Sequence, residues 1–590
     1  MTTFDPITLE ILWNRCRTIL NEEIAGLIRA AFSPIIREAK DCSAGLYDSA
    51  GNFMTHADEG ECHIRQTVKC LLEKFSPEEL APGDVLISND PWKVGGHIND
   101  TAVVVPIFFN GRVAGFTAYL GHHIDMGGRG FSADSTSLYE EGILIPPVKL
   151  FSAGEPSLDI FEMVSNNIRH PEVVLSDIRA QMGAAEAAAN KIAAMMGEFG
   201  LTGLDELSHA MIASSEEATR AAITAIPDGI YRHTVYTDGY DATDPVKMML
   251  TLTIKGSDII IDYSGSSPQS MYGINLVYNH TLALTHQCLM CTIFPHVRDN
   301  EGSYRPLSLI APEGGIMNAK YPAPVMARHL TGFYIPSAVF GALARVIPDR
   351  VVADSAAVSN FGVIGTNERG DPMVGICTCL GGMGARATKD SPTTLFPFVI
   401  ADIPIEVIEN EFPLFVRKRE MVQDSGGPGT YRGGLGQEIE VQVRSQKPAT
   451  FFCMQERINH PPLGFRGGLP GAKADLVINN TIRPHPKKGY MLQPGDTVRI
   501  RANGGGGYGP PVRRNPEAVL ADVRNEYVSA EQARKVYRVA IDSAGASVDR
   551  NMTKRLRARN GARGNGAKTT ARPRPRTTQK RSPRGKPQRV

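Results

Sequence analysis

The chain has 590 residues, of which 42% are hydrophobic and 21% are charged. This length exceeds what one hydrophobic core supports, so we expect two to four core-bearing units. The composition is that of a folded globular protein and excludes a wholly disordered chain. It contains no apolar run of about 18 residues, the length that predicts a membrane-spanning helix.

The cysteines and the N-terminus both favour a cytoplasmic protein. Nine cysteines, an odd number without the spacing of a disulfide framework, suit a reducing compartment. The first residues lack the basic segment, apolar segment and small-residue cleavage site of a secretory signal. We therefore expect a cytoplasmic location and no membrane partner.

The net charge of +1 hides an uneven distribution. Residues 551–590 contain 14 Lys and Arg and no Asp or Glu, which leaves a net charge of −13 on the rest of the chain. With few large apolar side chains to bury, residues 546–590 are predicted to form a basic disordered tail. Such a tail can bind polyanions. Specific nucleic-acid binding is not expected, because no aromatic residue interleaves the charges to stack on bases.

The N-terminal part predicts one long helix followed by strands. Apolar residues at helical spacing fill the first thirty residues, and Pro34 ends this helix. Residues 43–55 predict short strands, and residues 102–109 and 113–120 predict a hairpin around the strong turn signal Asn-Gly. The other predicted elements are a strand at 85–87, helices at 176–200, 203–225, 335–347 and 529–539, and strand-dominated stretches from 227 and over 405–510.

These elements predict a mixed α/β (α+β) fold with several domains and mixed sheets, and a strand-rich C-terminal half. The predicted units are an N-terminal metal-binding domain, a central mixed domain, a Gly-rich, strand-rich domain with a final helix, and the basic tail, over residues 1–225, 226–404, 405–545 and 546–590.

The most informative segment is Asn89-Asp-Pro-Trp-Lys-Val-Gly-Gly-His-Ile-Asn-Asp100. It places His97 and Asp100 at the head of the first hairpin strand, while the returning strand ends in Gly121-His-His-Ile-Asp-Met-Gly-Gly128. Antiparallel pairing would bring two imidazoles and one or two carboxylates together, and Asp41 precedes a nearby strand. Mixed His and carboxylate sets suit Zn, Fe or Mn with an open position. The alternative is that these groups only bond turns and cap strands.

Four glycine clusters in the C-terminal half indicate tight turns and close backbone packing. None is followed by Lys-Ser or Lys-Thr, so none is a P-loop. None lies between a strand and a helix, as a dinucleotide fingerprint requires. The clusters are Asp424-Ser-Gly-Gly-Pro-Gly429, Arg432-Gly-Gly-Leu-Gly436, Arg466-Gly-Gly-Leu-Pro-Gly471 and Asn503-Gly-Gly-Gly-Gly-Tyr508.

Together these motifs resemble the hydantoinase B/oxoprolinase family, which includes the acetone carboxylase alpha subunit, across nearly the whole folded chain. The matching stretches are Arg37-Glu-Ala-x-Asp-x-Ser, Pro82-Gly-Asp, Asn89-Asp-Pro, Gly-Gly-His-x-Asn-Asp100, His122-x-x-Asp-x-Gly-Gly128, Glu141-Gly-Ile, Pro322-Ala-Pro-Val-x-Ala-Arg328, Asp424-Ser-Gly-Gly, Tyr431-Arg-Gly-Gly-Leu-Gly436 and Gly504-Gly-Gly-Gly-Tyr-Gly509.

The resemblance implies a transition-metal site (Zn, Mn or Fe), with Asp41, His97, Asp100 and His122 as ligands. It leaves His123, Asp125 and Asn99 as supporting candidates, with Asp125 orienting a ligand imidazole. The chain departs from the family pattern around His63, after the C-terminal Tyr-Gly, where it has Pro510-Pro511, and in the basic tail. A role for His63 is therefore not expected.

The resemblance also implies an enzyme that works as a pair. A larger companion subunit resembling hydantoinase A would bind ATP and Mg and phosphorylate a cyclic amide such as a hydantoin, 5-oxoproline or a lactam. This chain would then hydrolyse the activated species with metal-bound water, and no other catalytic residue is expected. The alternatives are a subunit of an acetone- or acetophenone-type carboxylase, and a non-catalytic assembly subunit with a structural metal.

Overall fold

The computed structural model describes residues 4–58, 64–241, 243–366, 370–394, 401–542 and 545–561. His63 and most of the basic tail lie outside the described residues. The described chain forms a mixed α+β fold with four separate sheets, as the sequence predicts. No helix within these ranges is both long and apolar enough to cross a membrane.

The N-terminal part contains a seven-stranded antiparallel sheet in the order β2-β1-β5-β4-β3-β6-β7. Its strands are β1 (Cys42–Asp48), β2 (Phe53–His56), β3 (Val85–Ser88), β4 (Asp100–Phe109), β5 (Arg112–His122), β6 (Val148–Ser152) and β7 (Glu155–Pro156). Its helices are α1 (Pro6–Ala30), α2 (Pro34–Arg37), α3 (Thr67–Leu72), α4 (Leu158–Asn167), α5 (Pro171–Glu198) and α6 (Asp205–Thr224).

The predicted hairpin lies at the centre of this sheet and is covered on both faces. Side chains of β4 alternate between two cores, with Val103 and Val105 in the larger one and Val104 in the smaller one. Helix α5 packs on the larger-core face, where Gln181 donates to the Thr101 carbonyl at 3.1 Å. This double cover fixes the strand register, because a shift by one residue would exchange the two faces.

The central part contains a second sheet, in the order β11-β10-β9-β8, in which only the β10–β11 pair is parallel among the described strands. Its elements are β8 (Gly229–Tyr236), β9 (Lys247–Lys255), β10 (Asp258–Asp262), α7 (Tyr278–Thr292), α8 (Glu301–Tyr304), β11 (Leu307–Ile310), α9 (His329–Gly332) and α10 (Ile335–Leu343).

The C-terminal part contains two four-stranded sheets, β13-β12-β16-β18 and β14-β15-β19-β17. Their strands are β12 (Ser359–Thr366), β13 (Pro372–Cys379), β14 (Leu414–Met421), β15 (Gln437–Val443), β16 (Ala449–Met454), β17 (Asp475–Ile478), β18 (Gly489–Leu492) and β19 (Thr497–Arg501). The helices here are α11 (Ile405–Glu411), α12 (Pro516–Arg524), α13 (Ala530–Lys535) and α14 (Arg550–Gly561). Short 3-10 turns occur at Pro77–Glu79, Leu138–Glu140, Pro348–Arg350 and Pro511–Arg513.

The glycine clusters pack backbone against backbone, as predicted. A Cβ atom on Gly504 would collide with the Ser425 carbonyl, and one on Gly434 would collide with the Pro392 carbonyl. Only glycine permits such an approach. The first of the two sheets joins strands from both sides of residue 404, and one buried cluster runs from Leu12 to Ala502. The domain boundaries therefore stay predictions.

The prediction of disorder from residue 546 is wrong for residues 550–561, which form α14. Asp549 caps this helix by accepting from Met552 N at 2.9 Å. Thr553 is buried and accepts from Ala540 N at 3.0 Å. The sequence argument counted charges and overlooked this cap and this buried contact.

Candidate metal centre

The hairpin brings two predicted ligands side by side. Asp100 and His122 are directly opposed residues of β4 and β5. The Asn110-Gly111 turn allows this, because both residues take the left-handed conformation (φ 51° and 77°) of a tight hairpin turn. One ligand atom from each of His97, Asp100 and His122 lies within 4.8 Å of the other two, and all three residues are buried. We call these three residues the ligand cluster.

Asp41 lies beside the ligand cluster, immediately before β1. Its carbonyl accepts from His122 N at 3.1 Å, and the following residue, Cys42, pairs with Gly121. Asp41 lines the same cavity as the ligand cluster. It is not one of the three residues whose ligand atoms lie within 4.8 Å of one another in the described chain. Three of the four predicted ligands are thus in close contact, and the fourth borders them.

The hydrogen bonds of His97 fit a cation in this place. Nδ1 lies 2.9 Å from the Met326 carbonyl oxygen, which can only accept, so Nδ1 carries the ring proton. Nε2 then presents a lone pair to Oδ1 of Asp100 at 2.9 Å. This approach is repulsive unless a proton or a metal ion lies there. Burial lowers the pKa of His97, and Arg328 lowers it further, which disfavours the proton.

Asp100 is held as an anion despite its burial. Burial alone would raise the pKa of this carboxyl group, but His97 and Arg328 outweigh that effect and the pKa lies below its ordinary value. Arg328 Nη2 donates to Oδ2 of Asp100 at 2.6 Å and to the Gly95 carbonyl at 2.8 Å. The guanidinium occupies Oδ2, so Oδ1 is the oxygen that faces His97.

His122 completes the fit. Burial, with His97 beside it, lowers its pKa well below the ordinary value, so the imidazole is neutral, as ligation requires. Its Nδ1 is buried and makes no hydrogen bond to any described residue. An orphaned buried nitrogen costs free energy unless something binds it. Two neutral imidazoles and a carboxylate are a set that suits a transition metal.

The cavity at the ligand cluster is bordered on its other side by residues far along the chain. Its lining is Ile35, Asp41, His97, Asp100, His122, Phe131, His280, Leu284, Arg328, His329, Gly332, Phe333, Asn360, Ile376 and Thr378. Phe131 contacts both sides, with its ring centroid 5.3 Å from that of His122 and 5.4 Å from that of His329. The site is therefore shared between the N-terminal sheet and the central and C-terminal parts.

The supporting residues differ from the expectation. Asn99 donates to the His123 carbonyl at 2.6 Å and accepts from His123 N at 2.8 Å through its own backbone carbonyl, so this pair fixes the strand ends. Asp125 binds Arg169 at 2.6 Å and Gly127 N at 3.1 Å. No hydrogen bond joins Asp125 to a ligand imidazole among the described residues, and the Met326 carbonyl is the group that orients His97.

Sequence reasoning missed the far wall of the cavity. Arg328 stands in a quoted family stretch, but its contact with Asp100 spans 228 residues. His329 directly follows that stretch, while His280 and Asn360 belong to no motif. Only the family stretch Pro322–Arg328 indicated that this part of the chain matters, and it did not indicate what its residues do.

Comparisons with known proteins define the class. The chain matches the Hydantoinase B/oxoprolinase family over residues 5–511, and it belongs to this family. It is 32% identical over 569 residues to an uncharacterised protein of Methanocaldococcus jannaschii, covering 94% of this chain and 100% of that one.

Two relatives carry functional names. A putative D-/L-hydantoinase subunit from a Pseudomonas species is 29% identical and covers 94% of this chain and 98% of its own length. The beta subunit of caprolactamase from Pseudomonas jessenii is also 29% identical, and the match covers 92% of this chain and 98% of that subunit.

Two solved structures share the fold. The crystal structure of ATP-dependent caprolactamase from Pseudomonas jessenii aligns with a TM-score of 0.85 and 27% identity, over 94% of this chain and 100% of that one. A nucleotide-free structure of acetone carboxylase aligns with a TM-score of 0.86 over 95% of this chain and 84% of that one. At 20% identity, the second likeness shows the fold alone.

Proposed function

We propose that this chain is the metal-containing subunit of an ATP-dependent cyclic-amide hydrolase of the hydantoinase, oxoprolinase or lactamase type. The observation that carries the proposal is the ligand cluster, whose three buried residues line one cavity in a chain of this family. The metal would be a divalent or trivalent transition ion (Zn, Mn or Fe) held by His97, Asp100 and His122 with Asp41 beside them. The names of the hydantoinase and caprolactamase relatives support the substrate class.

The residues of this chain have separate tasks in the proposal. When bound, a transition metal ion supplies Lewis acidity and lowers the pKa of bound water toward neutral pH. His97 and His122 offer neutral imidazole nitrogens, because burial lowers the pKa of both. Asp100 offers one oxygen, because Arg328 holds the other. Phe131 places an apolar ring edge-on against both imidazoles.

A companion protein would perform the ATP-dependent step. An unstrained amide is a poor electrophile, and phosphorylation of its carbonyl oxygen creates a leaving group. No P-loop or dinucleotide motif occurs in the sequence, which supports assigning ATP and Mg to a hydantoinase A-like partner. Both functionally named relatives are themselves named as subunits, which supports a partner as well.

The size of the cavity limits what can enter it. Its volume is about 70 Å³, about half of the ~150 Å³ cavity that accepts benzene. The activated amide carbon and a water molecule fit this space, whereas the whole ring with its phosphoryl group requires the walls to separate. We therefore place the reacting group at the ligand cluster and the rest of the ring toward the cavity mouth.

The test is ADP release by this chain co-expressed with its ATP-binding companion. The substrates are hydantoins, 5-oxoproline, lactams and small ketones, each with and without bicarbonate. We expect ADP release to require a cyclic amide, to be unaffected by bicarbonate and to be accompanied by the ring-opened product. Release that requires both a ketone and bicarbonate would replace the proposal with an acetone- or acetophenone-type carboxylase. Metal retention without any turnover would favour a structural role.

A further inference from the structure

His329 is a histidine of the cavity wall that no ligand set includes. It begins α9, it is buried, and it lines the cavity together with the ligand cluster. Its ring stacks on Phe131 at an interplanar angle of 20°. Phe131 in turn meets the rings of both ligand histidines edge-on. Phe131 thus contacts both His329 and the ligand cluster, and His329 is not one of the three clustered residues of the described chain.

Asn360 fixes which nitrogen of His329 carries the proton. Nδ2 of Asn360 lies 2.9 Å from Nε2 of His329. An amide NH₂ group only donates, so Nε2 accepts and Nδ1 carries the hydrogen. Asn360 is held in β12, where it pairs with Thr378 on one side and Met454 on the other. The strand register therefore sets the tautomer of a side chain on a different element.

The Nδ1–H group of His329 is unused within the described chain. No described residue accepts a hydrogen bond from it. The nitrogen is nevertheless not completely enclosed by protein atoms. His329 lines the cavity, where a bound molecule can accept this hydrogen. Burial, followed by Arg328 and His97, lowers the pKa of His329 well below its ordinary value. The ring is a neutral donor, and it does not exchange a proton near pH 7.

We propose that His329 donates a hydrogen bond from Nδ1 to the oxygen that joins the activated amide carbon to phosphate, which gains negative charge as water adds to that carbon and phosphate leaves, and that Asn360 is the positioning residue that fixes this tautomer. The inference rests on the proposed function. A neutral imidazole N–H is a known type of electrophilic donor at carbonyl oxygens. A preorganised donor in a site of low dielectric acts most strongly where negative charge develops.

The test uses two substitutions of His329 that separate the function of its Nε2 from the function of its Nδ1. In His329→Gln the amide reaches the position of Nε2 and keeps the contact with Asn360, but the cavity donor is lost. In His329→Asn the amide reaches the position of Nδ1 and can restore the donor. His460→Gln is the control, since its ring stacks on Tyr236 away from the cavity. All variants are assayed for ring-opened product, with ADP release recorded beside it, in the presence of the companion and hydantoin, 5-oxoproline or caprolactam.

We expect His329→Gln to lower kcat about 100-fold, as for loss of one oxyanion donor, with KM and metal content unchanged. His329→Asn should recover part of this loss, and His460→Gln should match the wild type. Equal kcat in His329→Gln and wild type would overturn the inference while leaving the proposed function intact. Loss of metal in His329→Gln would also overturn it, since the residue would then support the ligand cluster.

A second readout does not depend on turnover. Asn360→Asp replaces the donor with an acceptor, so His329 should switch to the Nε2–H tautomer. Nitrogen-15 spectra of histidine-labelled protein distinguish the two tautomers in wild type and variant. An Nε2–H tautomer in the wild type would overturn the inference. If the wild type turns over no cyclic amide, the proposed function fails, and these spectra still decide the tautomer.

Discussion

The two sides of the cavity are assembled by different kinds of contact. On the ligand side, Asp100 and His122 meet through one hairpin with a tight turn. On the far side, Arg328 reaches Asp100 across 228 residues, and the Met326 carbonyl reaches His97 across 229. The local side supplies the atoms that can bind a metal. The distant side sets their charge and orientation, so the chemistry of the site depends on packing between parts of the chain.

The largest effect should come from the ligand side. Asp100→Asn should weaken metal binding by at least ~100-fold, because it removes a charged ligand rather than only its support, and ring opening should be lost with the metal. Metal content and affinity by chelator competition check this. Asp84→Asn is the matched control, since Asp84 is also buried and ion-paired, with Lys149 at 2.6 Å. Equal metal loss in both variants would contradict the assignment.

The next effect tests the distant side. Arg328→Met leaves Asp100 buried without the guanidinium that binds its Oδ2, which should cost roughly 3–5 kcal/mol of unfolding free energy without metal. Added metal should recover more of this loss than it adds to the wild type, because the ion replaces the missing positive charge. Thermal unfolding with and without metal measures both. Equal stabilisation by metal in the variant and in the wild type would mean that Arg328 and the metal site are independent.

A smaller effect concerns Glu141, which holds the segment that orients His97. Its Oε1 accepts from Val325 N and Met326 N, both at 2.8 Å. Burial raises the pKa of Glu141 from 4.5 to about 8 despite these bonds. Between these values the folded chain keeps a proton that the unfolded chain releases. Stability should therefore fall as pH rises, by at most about 1.4 kcal/mol per pH unit.

Glu141→Gln cannot ionise, so it should flatten the fall in unfolding temperature between pH 5 and 8. Glu140→Gln is the neighbouring control, because Glu140 bonds Thr136 at the surface. The same flattening in both variants would show that Glu141 is not the source.

The smallest effect is expected from the C-terminus. Deletion of residues 562–590 should leave metal content and stability unchanged. Deletion of residues 550–590 also removes α14 and the bond from Ala540 N to Thr553, which should lower the unfolding free energy by about 1 kcal/mol. Calorimetry of the two truncations tests this. Equal stability would mean that α14 does not contribute.

The sequence predicted the local side well and the distant side poorly. The hairpin and the first helix follow from turn residues and apolar spacing, and the structure confirms them. Ligand geometry followed from one strand pairing. The partners of Arg328 and His329 could not be predicted, because no periodicity states which distant strand or loop packs against them. Asp125 is the opposite case. Its residue type suited a supporting role at the metal site, but in the structure it binds Arg169.

The most direct measurement is an anomalous-diffraction map of the metal-replete chain, recorded on both sides of the absorption edges of Zn, Mn and Fe. The account predicts one strong peak per chain at His97, Asp100 and His122, with Asp41 beside it, and no such peak in Asp100→Asn. A metal-replete wild type without a peak there would contradict the central claim. A proton would then lie between Nε2 of His97 and Oδ1 of Asp100, and the cavity would have a function other than metal binding.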